Sequence, residues 1–171
     1  MQERTLDNLV LNGEDYIFAG NLRINGKVDI TDGSLIVSGK LSIGDNVSVI
    51  GGDIVCGKLI IEGQNTFIRD GDIIVYGDFD AFSIDSDGNI EVSGNTNLYE
   101  VKCFNFLISG NNDTLQISAT QDIYILGSNN SSCLEARDIL ITKFSTTTYH
   151  SVKCKTFYCP EVISNCCMTI G

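Results

Sequence analysis

The chain has 171 residues, of which 43% are hydrophobic and 19% charged, and its formal net charge is −11. These values are typical of one folded domain, and they exclude a disordered chain. The negative charge disfavours direct binding to nucleic acid or to an anionic membrane. Residues 1–100 carry all of it, with 17 acidic and 6 basic residues. This acidic part either serves solubility or meets a basic protein surface.

The first residues, MQERTLDNLVLNGED, contain no basic segment followed by an apolar one, so we predict no signal peptide. No apolar run approaches the length of a membrane span. Seven cysteines without an export signal favour reduced thiols. We therefore expect a cytoplasmic protein that does not bind membranes.

A short repeat runs along the chain from residue 15, and each copy combines a small polar residue, an apolar strand and, in most copies, a glycine. The copies are DYIFAG (15–20), SLIVSG (34–39), DIVCG (53–57), DIIVYG (72–77), NIEVSG (89–94), NFLISG (105–110), DIYILG (122–127), DILITK (138–143) and KTFYCP (155–160). The step between copies is 19 residues at first and falls to 16 or 17 after the copy at 72. A strand at this spacing, with no helical period, predicts stacked coils that bury a shared core.

The predicted fold is all-β: a single-stranded, right-handed parallel β-helix (β-solenoid) of about nine coils of 16–19 residues. We expect one domain over 1–171. Residues 1–14 form an N-terminal cap, residues 15–88 regular coils, residues 89–160 tighter coils and residues 161–171 a C-terminal cap. The caps are expected because the end coils of a solenoid expose unpaired strand edges.

Alternation within the first strand of each coil assigns side chains to the inside or the outside. The predicted inward pairs are Tyr16/Phe18, Leu35/Val37, Ile54/Cys56, Ile73/Val75, Ile90/Val92, Phe106/Ile108, Ile123/Ile125 and Ile139/Ile141. The residues between them should point outward, and apart from Glu91 they are all apolar: Ile17, Ile36, Val55, Ile74, Leu107, Tyr124, Leu140 and Phe157. An exposed apolar row of this length marks a contact surface, unless a terminal segment covers it.

Acidic residues are densest between positions 53 and 87. We predict an acidic face there: Asp53, Asp70, Asp72, Asp78, Asp80, Asp85 and Asp87. The column Asp53, Asp72, Asn89, Asn105, Asp122 and Asp138 begins the strands just after turns, where such side chains cap free backbone N–H groups. Capping is favoured over the acid pair of a glycosidase. Calcium is disfavoured because the spacing matches neither a calcium-binding solenoid repeat nor a helical-hand loop.

The sequence contains no recognisable metal-binding or catalytic motif. His150 lies near Cys154, Cys159, Cys166 and Cys167 in sequence, but their spacing is not that of a zinc site. We interpret the cysteines as small core residues. No nucleophile elbow, phosphate-binding loop or dinucleotide fingerprint is present in the sequence. The sequence therefore predicts no catalytic residue, no cofactor and no metal site.

The segments GNLRINGKVDI (20–30), GSLIVSGKLSIGDNVSVIGGDIVCGKLIIEG (33–63) and GDIIVYGDF (71–79) resemble the coils of bactofilins, which are bacterial cytoskeletal β-helix proteins. The resemblance implies a protein that polymerises end to end through its terminal coils without nucleotide. It covers about the first half of the chain. After residue 90 the coils are less regular and richer in cysteine.

We therefore expect a non-enzymatic structural protein that binds itself or another protein through the apolar row. One alternative is a small acidic binding protein, such as a phage inhibitor that imitates nucleic acid and blocks the basic channel of a defence nuclease. A carbohydrate-active solenoid is the third interpretation, disfavoured because its loops would have to form a cleft and those here are only a few residues long.

Overall fold

A computed structural model describes residues 2–144, 150–159 and 166–170, and it contains strands and turns but no helix. The strands are β1 (Glu3–Leu6), β2 (Leu9–Asn12), β3 (Tyr16–Phe18), β4 (Asn21–Ile24), β5 (Val28–Thr31), β6 (Leu35–Ile43), β7 (Val47–Ile50), β8 (Ile54–Ile61), β9 (Thr66–Arg69), β10 (Ile73–Val75), β11 (Phe79–Ser86), β12 (Ile90–Val92), β13 (Thr96–Cys103), β14 (Phe106–Ile108), β15 (Asn112–Ala119), β16 (Ile123–Asn129), β17 (Cys133–Ala136), β18 (Ile139–Phe144), β19 (His150–Cys154), β20 (Thr156–Tyr158) and β21 (Cys166–Ile170). Every pairing among them is parallel.

The chain is thus a β-solenoid with three faces, and each strand pairs with its copies in the coils before and after it. The first face consists of β3, β10, β12, β14, β20 and the first residues of β6, β8, β16 and β18. The second face follows the first face in each coil, and its first two strands are β1 and β4. The third face begins with β2 and ends with β21. Nine of the described strands stack on the first face, so about eight full turns separate the first from the last, which confirms the predicted fold.

The core is filled by columns of similar side chains, one from each coil. On the third face the column Val28, Val47, Thr66, Ile84, Val101, Ile117, Leu134 and Val152 runs the length of the rod, and each member is at most 1% exposed. Stacking at the strand spacing of about 4.8 Å brings each branched side chain against its copy, so no coil buries its apolar surface alone.

Glycines at the corner between the third and first faces permit close stacking of successive turns. A Cβ atom at Gly52 would overlap the backbone carbonyl of Gly33, and one at Gly71 would overlap that of Gly52. The backbones at these positions therefore lie closer together than any side chain allows. This explains why Gly33, Gly52 and Gly71 recur in the regular part of the repeat.

The cross-section narrows in the middle of the chain. Hydrogen-bonded partners in adjacent coils are 19 residues apart at Asp53 and Asp72, but 17 apart at Asp72 and Asn89. Part of this decrease in residues per coil occurs at the corner between the second and third faces. Polar turns such as Gly44–Asn46 occupy that corner early in the chain, whereas β11, β13 and β15 cross it as continuous strands.

A buried polar network lies inside this narrower part. Asn112 is 2% exposed; its Oδ1 accepts hydrogen bonds from the hydroxyls of Thr96 and Thr114, both at 2.6 Å. Its Nδ2 donates to Asn129 Oδ1 at 2.6 Å and to Ser131 Oγ at 2.7 Å. The network ties together three successive coils on the second face.

The predicted caps differ from the structure at both ends. Residues 1–14 contain β1 and β2, which pair in register with β4 and β5, so they continue the solenoid and do not cover it. At the other end β21 pairs with β19, while residues 160–165, including Pro160, lie outside the described part of the chain. No described strand pairs with the outer edges of β1, β2 and β3. The N-terminal segment continues the solenoid because its apolar residues, such as Leu9 and Leu11, fit the core columns.

Candidate functional site

The outward side chains of the first face form one straight row along the solenoid, which we call the outer row. Strand pairing places these residues in register: Ile17, Ile36, Val55, Ile74, Glu91, Leu107, Tyr124, Ile141 and Tyr158. Ile17 is 71% exposed and Tyr158 is 61% exposed, and the apolar members between them are half-buried. They are shielded because each lies between its neighbours above and below.

Two residues predicted for this row belong to the core. Leu140 pairs with Ile123 and is fully buried, and Phe157 pairs with Leu140 and packs against the core. Ile141 takes the outward position instead, so the predicted inward pair Ile139/Ile141 is also wrong. Both residues of that pair are half-buried on the outer side of the strand.

The cause is the length of the coil, because the repeat places Asp138 16 residues after Asp122, whereas paired residues of the first face in these two coils are 17 residues apart. The N–H of Asp138 donates to the carbonyl of Gln121 at 3.1 Å, and that of Ile139 donates to Asp122 Oδ1 at 2.9 Å. In a regular coil the residue just before the strand donates its N–H to the Asp side chain of the preceding coil. Asp72, for example, donates its N–H to Asp53 Oδ1. Ile139 therefore occupies the corner position, as Asp72 does in its coil. Every later side chain of the strand then points to the opposite side from the one predicted.

Beside the outer row, four of the six residues of the predicted Asp and Asn column make the predicted capping contacts: Asp53, Asp72, Asn105 and Asp122. Asn89 Oδ1 accepts instead from the side chain of Asn105, and Asp138 lies one residue before the column and binds Lys155. Asp53 Oδ1 accepts from the N–H of Asp72 at 2.8 Å, and Asp72 Oδ1 accepts from that of Asn89 at 2.7 Å. Asn105 Oδ1 continues the column with the N–H of Asp122 at 3.1 Å. These side chains satisfy backbone donors that the turn leaves free.

The predicted acidic face is divided among several surfaces. Four of its members, Asp53, Asp70, Asp72 and Asp87, lie at the corner between the third and first faces. The other three lie elsewhere, as the strand pairing shows: Asp78 at the next corner, Asp80 on the second face and Asp85 on the third. The alternation of corners and faces within one coil separates residues that are close in sequence.

Several of these carboxylates already have partners. Asp85 forms an ion pair with Arg69 at 3.0 Å, and Asp78 forms one with Lys58 at 3.2 Å. The backbone N–H of Asn95 and the ammonium group of Lys58 lower the pKa of Asp78. Such contacts tie these acids to neighbouring residues of the solenoid and leave fewer free charges for a partner.

No group of three or more His, Cys, Asp and Glu within 2–144 and the other described ranges has the arrangement of a metal site. Burial raises the pKa of Cys56 and of Cys103 to about 12, so both thiols stay protonated at neutral pH. The side chains of His150, Cys166 and Cys167 lie outside the described part of the structure.

A second exposed apolar surface, which the sequence reasoning missed, lies at the corner between the second and third faces. Phe82, Tyr99 and Leu115 occupy this corner in three successive coils and are 48%, 50% and 43% exposed. The rings of Phe82 and Tyr99 are stacked, with centroids 4.8 Å apart and planes 2° from parallel. We call these three residues the corner ridge. The sequence indicates the corner ridge by a bulky residue at the corner where earlier coils have Gly, Asp and Asn.

A depression in the described surface lies near Ala119 and Ala136, where small side chains leave space at the corner. Its lysines are paired: Lys153 Nζ lies 2.6 Å from Glu135, and Lys155 Nζ lies 2.6 Å from Asp138. These exposed ion pairs contribute little to stability, and they neutralise the cations that could bind an anion.

No protein-family model, curated protein sequence or solved structure matches this chain significantly. The structure defines the class as a parallel β-solenoid repeat protein, which is compatible with the bactofilin resemblance at the level of the fold alone. Within the described ranges there is no helix long and apolar enough to cross a membrane.

Proposed function

We propose that this chain is a non-enzymatic scaffold protein that associates side by side with a second copy of itself through the outer row. The observation that carries the proposal is the row itself, with apolar side chains at eight of nine successive positions on a rigid face. Exposed apolar surfaces of this extent mark contact sites. An identical row has the same spacing from coil to coil, so its side chains fit between those of the first.

The area of this face is sufficient for a specific contact. Nine coils at about 4.8 Å give a length of about 40 Å, and five residues across, including the corners, give a width of about 16 Å. The contact would bury about 640 Å² on each partner, or about 1,300 Å² in total, which is at the low end for specific interfaces. We therefore expect a reversible dimer.

Glu91 limits this association. It is the fifth of the nine positions, so two rows aligned in either direction bring their Glu91 carboxylates together. Like charges at the centre of a dry contact oppose binding. Replacing Glu91 with Leu should therefore strengthen the dimer.

The alternative of nucleic-acid mimicry needs a regular line of free carboxylates on one surface. The acids of residues 53–87 lie at two corners and on two faces, and several accept hydrogen bonds from backbone N–H groups. The outer row is the more continuous feature, so we favour the scaffold.

Light scattering coupled to size exclusion tests the proposal. We expect a concentration-dependent dimer that Ile36→Lys with Ile74→Lys converts to monomer and that Glu91→Leu stabilises. The matched control is Ser48→Lys with Ser118→Lys, which adds the same charge at outward positions of the third face and should leave the dimer intact. Circular dichroism checks that each variant is folded.

Three outcomes would contradict the proposal: a wild type that stays monomeric at high concentration, a double-lysine variant with unchanged mass, or a control that dissociates as readily. Filaments in negative-stain images that persist in the double-lysine variant would instead indicate pairing through the strand edges of the terminal coils.

A further inference from the structure

The corner ridge exists because the chain replaces a polar turn with a bent strand. In the early coils the corner holds residues such as Asp45 and Asn46, and in β11, β13 and β15 a single bulky residue stands there. Ladder pairing of the residues on both sides fixes Phe82 over Tyr99 and Tyr99 over Leu115. The ridge is therefore held rigidly and costs little conformational entropy on binding.

The surroundings of the ridge are acidic. On the second face Asp80, Asn97 and Asp113 point outward in register next to the ridge, and both carboxylates are exposed. Asp80 accepts a hydrogen bond from Asn97 at 3.2 Å, and Asp113 accepts one from Asn130 at 3.0 Å. Neither carboxylate forms an ion pair with any residue that the structure describes.

The charge argues against a second copy as the occupant of this surface. A two-fold contact through the ridge would bring Asp80 and Asp113 toward the same residues of the other chain, and these exposed like charges would oppose the contact. A partner with cations beside its apolar side chains would instead place opposite charges at these positions. The apolar ridge supplies the buried area, and the carboxylates select the charge of what covers it.

We propose that the corner ridge, with Asp80 and Asp113 beside it, is a second docking site that binds a basic protein segment carrying large apolar side chains. The apolar groups of the segment pack on Phe82, Tyr99 and Leu115, and its Lys or Arg side chains meet the two carboxylates. This site is separate from the outer row. A scaffold with both surfaces joins a second copy of itself to a basic partner.

Fluorescence anisotropy with a short labelled peptide of alternating lysine and leucine tests the proposal at low salt. Phe82→Ser with Tyr99→Ser should weaken binding by at least about tenfold, as expected for the loss of two aromatic contacts. The matched control is Tyr76→Ser with Leu126→Ser, which removes two apolar side chains that are even more exposed, at 67% and 61%, from a different corner. That control should bind like the wild type.

The charge requirement is tested separately. Asp80→Asn with Asp113→Asn should weaken binding and reduce its dependence on salt, whereas Asp29→Asn with Asp45→Asn removes the same charge elsewhere and should have little effect. A peptide of alternating lysine and glycine, which has the charge without the apolar groups, should bind much more weakly. Amide shifts of Phe82, Tyr99 and Leu115 in NMR spectra of the wild type should locate the peptide without any variant.

Several results would overturn this inference. One is unchanged affinity in the folded ridge variant, and another is equal weakening by its control. Equal affinity for the glycine peptide would reduce the site to non-specific charge, and loss of dimerisation in the ridge variant would identify a second copy as the occupant. The Ile36→Lys, Ile74→Lys variant should still bind the peptide, so failure of the outer-row proposal can be told apart from failure of this one.

Discussion

Replacing Asn112 with alanine should strongly destabilise the solenoid, because Asn112 holds a buried hydrogen-bond network together. The Oδ1 atom of Asn112 is the acceptor for the hydroxyls of Thr96 and Thr114, both of which are buried. Each hydroxyl that loses its partner in the core costs about 1–2 kcal/mol, and the vacated side-chain volume adds about 1 kcal/mol. The free energy of unfolding should therefore fall by about 3–5 kcal/mol.

Equilibrium urea unfolding followed by circular dichroism measures this change, since the chain has no tryptophan. A useful comparison is Asn97→Ala, because Asn97 is an exposed residue of the adjacent coil and should change stability by less than about 1 kcal/mol. If Asn112→Ala also costs less than about 1 kcal/mol, the network does not hold these coils together and the reasoning is wrong.

Three further predictions follow from single positions in the core and corners. Thr66→Val should raise the free energy of unfolding by about 1 kcal/mol in urea, because the buried hydroxyl of Thr66 has no described partner and its column is otherwise aliphatic; a loss of stability would contradict this. Gly52→Ala should lower the melting temperature sharply, since the new Cβ overlaps the backbone of Gly33, and calorimetry showing no change would refute the close approach. Burial raises the pKa of Cys103 to about 12, so a thiol reagent at pH 8 should modify Cys103 only after unfolding, as mass spectrometry of the labelled peptide would show.

The first face was largely predictable because two independent signals agree there. The repeat step identifies which residues stack, and alternation within a strand identifies which side they face. Six of the eight predicted apolar residues of the outer row, from Ile17 to Tyr124, lie in that row. Their role as an interface remains a prediction.

The errors came from the corners. Alternation is reset at each corner, and the repeat does not fix how many residues separate a strand from its copy in the next coil. The repeat indicated a step of 16 residues from Asp122 to Asp138, whereas the pairing has 17, which places Leu140 and Phe157 in the core. The corner ridge was missed for the same reason, because Phe82 and Tyr99 become neighbours only when the strand bends without a turn.

The sequence by itself determined that this chain is a stack of β-coils with an acidic first half, because period and alternation are local properties that every coil repeats. Only the tertiary structure decided which surfaces remain open. Exposure at a corner depends on how many residues the backbone uses to turn, and the burial of an end depends on whether its apolar residues fit the core columns. The outer row follows from the first kind of information, and the corner ridge follows from the second.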